Sequence, residues 1–299
     1  MTLSYRRRWV AGIRRRIRRL VRRLPTLMRW WSAPWRAEPT YIIIGVHKCG
    51  TSSLQVELGG HPQVVPALVK EVHYFTSRRF SRIPHSFYRA HFPLRRDLAG
   101  TPARITGEAT PGYVYSRFAA ERIRSRLPDV RLLVVIRDPT QRAISHFHHE
   151  LRLGRERRPL GETLRSSMAT PPTAAPHRGG DTWLDRKQYA GRGLYARALA
   201  PWFELFRGDQ LFVVALEQLV ADPSATMTAV CDFLDIEPQS YDRPFVQKNA
   251  SPRDDVDPDL IAELDEYYLE PNRELARLLR QHQPNRPLPP WLEGDVDDV

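Results

Sequence analysis

The chain has 299 residues, 41% of them hydrophobic, enough for one large domain or two small ones. Its net charge of +12 is concentrated: residues 1–40 hold twelve arginines against one acid, Glu38, and the remaining 259 residues sum to +1. A nearly neutral body behind a basic arm excludes a duplex-binding domain, whose basic residues must cover a folded face, so no nucleic-acid partner is expected.

Residues 1–38 form the arm. Its apolar positions, Trp9, Ile13, Ile17, Leu20, Val21, Leu24, Leu27, Met28 and Trp31, recur every three or four residues. That spacing predicts a helix with one apolar stripe and arginines on the other face, kinked or divided at Pro25. Trp9, Trp30, Trp31 and Trp35 suit a headgroup interface. Residues 5–35 are therefore expected on an anionic membrane surface, with an organellar presequence and a disordered basic tail as the competing readings. No run approaches the roughly 18 to 20 apolar residues of a membrane span. Two cysteines, Cys49 and Cys231, are too few for a disulfide framework, and reduced thiols in the cytoplasm are expected.

Tyr41–Gly45 reads as a short buried strand, and "GVHKCGTSSL" follows it into a helix. A strand, a glycine loop and a helix start aim backbone N–H groups and a helix dipole at one anion. Gly45 and Gly50 have the glycine spacing of a triphosphate loop, G-x-x-x-x-G-K-[ST]. Thr51, however, follows Gly50 directly, and Lys48 falls two residues early. The next long apolar strand, "RLLVVIRDP", delivers Arg137 before Asp138, which leaves no convincing acidic strand end for magnesium. An ATP-dependent kinase, a rival from another class, thus lacks its lysine; an inert membrane-peripheral binding protein keeping the same fold is a second rival.

Further strands are expected at Arg131–Ile136, Gln210–Leu216 and, shorter, near Ala103–Gly107. Helices are expected at Ser52–Gly59, Ser116–Leu127, Thr140–Leu151, Leu194–Phe206, Ser224–Leu234, Asp259–Tyr268 and Asn272–Arg280. Strands alternating with helices predict an α/β fold of three layers, a parallel sheet flanked by helices. Residues 39–285 form one domain, interrupted at 154–187 by an Arg-, Pro-, Gly- and Ser-rich insertion expected to be flexible or a lid, and 286–299 form a tail. His146, His148 and His149 lack the acidic or cysteine partners of a metal site and read as helix surface or cleft lining.

Five segments together resemble the PAPS-dependent sulfotransferases, closest to the heparan-sulfate and carbohydrate branch and of a bacterial type. "GVHKCGTSSL" is similar to the family's 5′-phosphosulfate loop, "KEVHYF" (70–75) to its E-x-H-[FY]-F segment, and "GEATPGYV" (107–114) to G-E-x-[ST]-P-x-Y. "RLLVVIRDPTQRAISHFHH" (131–149) resembles the 3′-phosphate strand–loop–helix, and the stretch from Gly191 to Pro223 resembles the one that closes the sheet. The resemblance implies a P-loop NTPase-like fold and PAPS (3′-phosphoadenosine 5′-phosphosulfate) as sulfuryl donor, without a metal. It also implies a carbohydrate or glycolipid hydroxyl as acceptor, with an amine, a lipid or a small metabolite as alternatives.

Carried over residue by residue, the resemblance makes Lys48 the cation at the leaving phosphate oxygen. Cys49, Gly50, Thr51, Ser52 and Ser53 become the 5′-phosphate cradle. Arg137 and Ser145 take the 3′-phosphate, for which an arginine fork is well shaped. Glu71 stands where that branch places its general base, and His73 is expected to orient the acceptor or share its proton, both side chains sharing a face if the segment is extended. Tyr195, Lys248 and Asn249 are expected on the nucleotide side, and Glu108 at the acceptor or capping local backbone. Ala109 departs from the lysine usual in heparan-type enzymes, which weakens the case for a highly anionic acceptor.

Overall fold

The computed structural model describes residues 25–77, 80–100, 102, 104–170, 187–239, 241, 244–245 and 256–293. Lys248 and Asn249, residues 1–24 of the arm and residues 171–186 of the insertion lie outside the described residues.

Five parallel strands make one sheet in the order β2-β3-β1-β4-β5: β1 Tyr41–Gly45, β2 Val64–Pro66, β3 Ile105–Ala109, β4 Arg131–Ile136 and β5 Leu211–Ala215. Helices flank it: α1 Thr51–Gly59, α2 Arg117–Arg126, α3 Pro139–Arg152, α4 Leu160–Ala169, α5 Tyr195–Leu205, α6 Leu216–Ala221, α7 Pro223–Leu234 and α8 Pro258–His282. This is the expected three-layer, P-loop-like α/β architecture. β1 is buried at every position and β4 at all but its first, which is why both read as continuous apolar runs rather than alternating ones. The strand order reverses at β1, so β1 has β3 on one side and β4 on the other. In open parallel sheets that point opens a crevice at the strands' carboxyl ends.

Two elements depart from the sequence expectation. β2 was not anticipated, since three residues ending in Pro66 carry too little periodicity to signal a strand. The two helices expected at Asp259–Tyr268 and Asn272–Arg280 are one 25-residue helix with Pro271 inside it. An internal proline costs about 3 kcal/mol. Leu260, Leu264 and Tyr268 before it and Leu275, Ala276 and Leu279 after it are all buried. Burying those six side chains, at about 1.5–3 kcal/mol for each large one, outweighs the kink.

A second, smaller core lies outside the sheet. Ala143, Ile144 and Phe147 of α3 pack there with Leu164 of α4, Tyr189, and Leu260 and Leu264 of α8. The insertion expected to be flexible thus contributes a packed helix, tied to α8 by the bidentate Arg165–Glu263 pair at 2.8 Å. At the other end, residues 25–30 are helical and residues 31–37 already belong to the body. Ala33, Ser32, Arg36 and Ala37 are buried, and the Arg29 and Arg36 guanidinium groups donate to the Phe92 carbonyl at 2.6 and 2.7 Å.

Candidate active site

β1 ends in a loop that turns sharply into α1. Lys48 and Gly50 both have positive φ, 72° and 93°. At Gly50 a Cβ would lie 2.7 Å from the Leu216 side chain, so the turn admits only glycine. The turn lifts Lys48 out of the sheet while the first amides of α1, those of Thr51 and Ser52, point out of the helix start with no intrahelical partner. The Cys49 amide instead donates to the Val46 carbonyl at 3.3 Å, inside the turn. Its thiol is buried and pushed up to about 12 by that burial, against the Tyr195 hydroxyl at 3.7 Å. Of the cradle assigned from sequence, the helix start is therefore placed to take an anion, and Cys49 is placed to shape the turn.

One cavity of about 210 Å3 opens over this loop. His47, Lys48, Gly50, Thr51, Ser52 and Ser53 line it from β1 and α1, and Lys70, Glu71 and Pro111 from the β3 side. Arg137, Ser145, His149 and Leu216 close it from beyond β4. Tertiary folding thus gathers side chains about a hundred residues apart at the carboxyl ends of β1, β3 and β4.

Arg137 follows β4, and Asp138 caps α3, accepting the Gln141 amide at 2.7 Å. The Asp138 carboxylate is thereby committed to the helix start, and burial lifts its pKa to about 6. Ser145 lies two helical turns along α3, with His149 one turn further on the same face. Lys48 is half-buried among cations. Burial first, then Arg152 and Arg137, lower its pKa to about 8. A site with that much unbalanced positive charge is shaped for a polyanion.

On the opposite wall, the Glu71 amide donates to the Ala109 carbonyl at 3.0 Å, which fastens the segment to the end of β3. The segment is not extended as the sequence suggested: Glu71 and His73 adopt φ of 59° and 54°, a conformation L-residues occupy at a cost of order 1–3 kcal/mol. The result still brings the pair together, with His73 Nε2 3.4 Å from the Glu71 carboxylate. The hydrogen bond from His73 holds Glu71 below the usual carboxylate range, burial opposes it, and Lys70 assists it. Glu71 is thus an ionised carboxylate beside an imidazole at the rim of the cavity, the state a general base requires.

Two sequence-assigned residues lie elsewhere. Glu108 is buried and does not line the cavity. Its carboxylate accepts the hydroxyls of Tyr88 at 2.8 Å, Thr110 at 2.6 Å and Tyr113 at 3.2 Å, and burial raises its pKa. It is the hub of a buried hydroxyl network. Tyr195 is also buried, and its hydroxyl donates to the Arg137 carbonyl at 2.8 Å, one layer beneath the cavity.

Sequence reasoning passed over His47 and Lys70. His47 stacks on Tyr115 with ring centroids 6.2 Å apart and planes 6° apart. Burial and nearby Arg192 drive its pKa down to about 3, so it meets the cavity as a neutral ring. Burial and the charge of a residue far along the chain decide this, and neither is visible in the local sequence. Lys70 had a signal, since it opens the "KEVHYF" segment. Its ammonium hydrogen-bonds the Ser52 hydroxyl and lies 3.9 Å from Glu71. Among the described residues no group of three or more His, Cys, Asp or Glu side chains converges to hold a metal.

The sulfotransferase domain family matches residues 38–257. Heparan sulfate glucosamine 3-O-sulfotransferase 6 of Homo sapiens is 36% identical over 217 residues, 72% of this chain and 57% of that protein. Heparan sulfate glucosamine 3-O-sulfotransferase 3B1 of Mus musculus is 36% identical over 208 residues, 69% of this chain and 48% of that protein. The chain thus spans about half the length of the curated relatives it matches. A sulfotransferase from Alicyclobacillus acidocaldarius superposes with a TM-score of 0.64 at 25% identity, covering 82% of this chain and 96% of that one.

Proposed function

The chain belongs to the sulfotransferase family, and from that premise we propose that it is a sulfotransferase moving a sulfuryl group from PAPS to a carbohydrate hydroxyl. The observation that carries this is a cavity shared by Lys48, Arg137 and Ser145 on one wall and Glu71 on the other. The family uses PAPS, and the residues present fit it. The helix start at Thr51 and Ser52 with Lys48 suits a 5′-phosphate, and Arg137 with Ser145 suits a 3′-phosphate.

Glu71 accepts the proton of the attacking hydroxyl as that oxygen bonds to sulfur. The sulfur–oxygen bond to the 5′-phosphate breaks in line, and the charge left on the phosphate oxygen falls beside Lys48. His73, 3.4 Å away, fixes the Glu71 carboxylate and can hand on its proton. The sulfuryl group carries one negative charge fewer than a phosphoryl group, so an ammonium suffices where a kinase uses magnesium.

The acceptor reading rests on the match to heparan-sulfate enzymes. The strongest test is calorimetry with adenosine 3′,5′-bisphosphate (PAP), followed by transfer of labelled sulfate from PAPS to glucosamine-containing polysaccharide. Micromolar PAP binding is expected; ATP with magnesium binding in its place would favour the kinase reading.

The arm supports a second, peripheral role at an anionic membrane, on the cytoplasmic face. Trp31 is 76%, Met28 73% and Trp35 61% exposed, close in the chain to the arginine-rich residues 1–24. Exposed indoles and a thioether beside that much positive charge complement an anionic headgroup layer. Among the described residues no helix is long and apolar enough to cross a membrane.

A further inference from the structure

Lys70 stands where two functions meet. Its ammonium hydrogen-bonds the hydroxyl of Ser52, at the helix start placed for the 5′-phosphate, and it lies 3.9 Å from the carboxylate of Glu71. In an in-line transfer the sulfur lies between those two ends, with the 5′-phosphate oxygen on one side and the hydroxyl addressed by the base on the other. A cation that touches a group at each end flanks the space between them. Lys70 lines the same cavity as Lys48 and Arg137, on the Glu71 wall.

We propose that Lys70 is a second catalytic ammonium, which binds the equatorial oxygens of the transferring sulfuryl group. The proposal rests on the PAPS reading of the site. Lys48 meets the charge that appears on the leaving oxygen, whereas Lys70 meets the charge spread over the SO3 unit as it passes. Throughout, the hydroxyl proton goes to Glu71, the new oxygen–sulfur bond forms, and the old one breaks toward the 5′-phosphate. Lys70 gives up no proton. It exchanges the Ser52 hydroxyl for sulfuryl oxygens when the donor arrives, leaving that hydroxyl to the 5′-phosphate.

This separates Lys70 from a residue that merely holds the loop. A contact to the sulfuryl group strengthens binding of PAPS but not of PAP, which lacks that group. The test is calorimetry of wild type, Lys70→Met and Lys70→Arg with each nucleotide, together with the slow release of PAP from PAPS with water as acceptor. Lys70→Met is expected to weaken PAPS binding about tenfold while changing PAP binding less than about threefold, and to slow PAP release at least about tenfold. Lys70→Arg is expected to recover most of both. Equal loss for the two nucleotides, or no loss for either, overturns the role of Lys70 while leaving the nucleotide site intact. Failure of the wild type to bind either nucleotide overturns the PAPS reading itself.

Discussion

The Tyr195 hydroxyl donates to the main-chain carbonyl of Arg137 across 2.8 Å. A helix that follows the insertion thereby fixes the backbone from which the guanidinium of Arg137 reaches into the cavity. The same hydroxyl touches the Cys49 thiol, so one buried phenol braces both the β1 loop and the β4 strand end. Tyr195→Phe removes that brace without changing shape. PAP affinity is expected to fall about three- to tenfold by calorimetry, with roughly 1 kcal/mol lost in chemical denaturation.

Lys48 is expected to set the alkaline limb. Burial among Arg152 and Arg137 lowers its pKa to about 8, so the free enzyme loses this cation as pH rises through that value. A plot of kcat/KM for PAPS against pH is expected to fall above about 8, and Lys48→Arg is expected to move that fall upward, since a guanidinium stays charged. An unchanged alkaline limb in Lys48→Arg would assign it to another group.

The proposed reaction divides the acid–base work between Glu71 and His73. Glu71→Gln keeps the size but loses the base, and kcat is expected to drop about 10²- to 10⁴-fold with PAP binding retained. His73→Ala is expected to cost less in rate. It should also shift the acidic limb upward, because the hydrogen bond that depresses the Glu71 pKa is gone.

The three hydroxyl partners of Glu108 point to a role in the fold. Glu108→Ala strands three buried hydroxyls and is expected to destabilise the protein by about 2–4 kcal/mol in urea unfolding. Glu108→Gln keeps an acceptor oxygen and should recover part of that loss. A selective rise in acceptor KM at unchanged stability would return Glu108 to the acceptor site.

Membrane association is best tested without disturbing the body. Deleting residues 1–36 would remove Arg29 and Arg36, which bond the Phe92 carbonyl. Deletion of residues 1–24, or Trp31→Ser with Trp35→Ser, spares those contacts. Either change is expected to release the protein from phosphatidylserine vesicles in co-sedimentation while activity in solution persists. Sedimentation unaffected by both would rule against the peripheral role.

How much was readable in advance differs by element. β1, β4 and β5 announced themselves, because strands buried on both faces must be apolar throughout. The loop that carries Lys48 was legible because glycines and a displaced lysine are local features. β2 was too short to signal, and the proline within α8 concealed a continuous helix whose buried residues lie on both sides of it.

The one-dimensional order of residues determined a parallel α/β domain and a glycine turn with Lys48 in it, since each depends on neighbours in the chain, whereas Glu71 became a base candidate only through the family resemblance. Only the tertiary structure decided that Glu108 is buried under three hydroxyls, that Tyr195 braces Arg137 from below, and that Lys70 spans Ser52 and Glu71. The physical reason is that burial and hydrogen-bond partnership are set by residues far away in sequence. A carboxylate or phenol in a motif looks the same whether the fold later turns it toward a cavity or into the core.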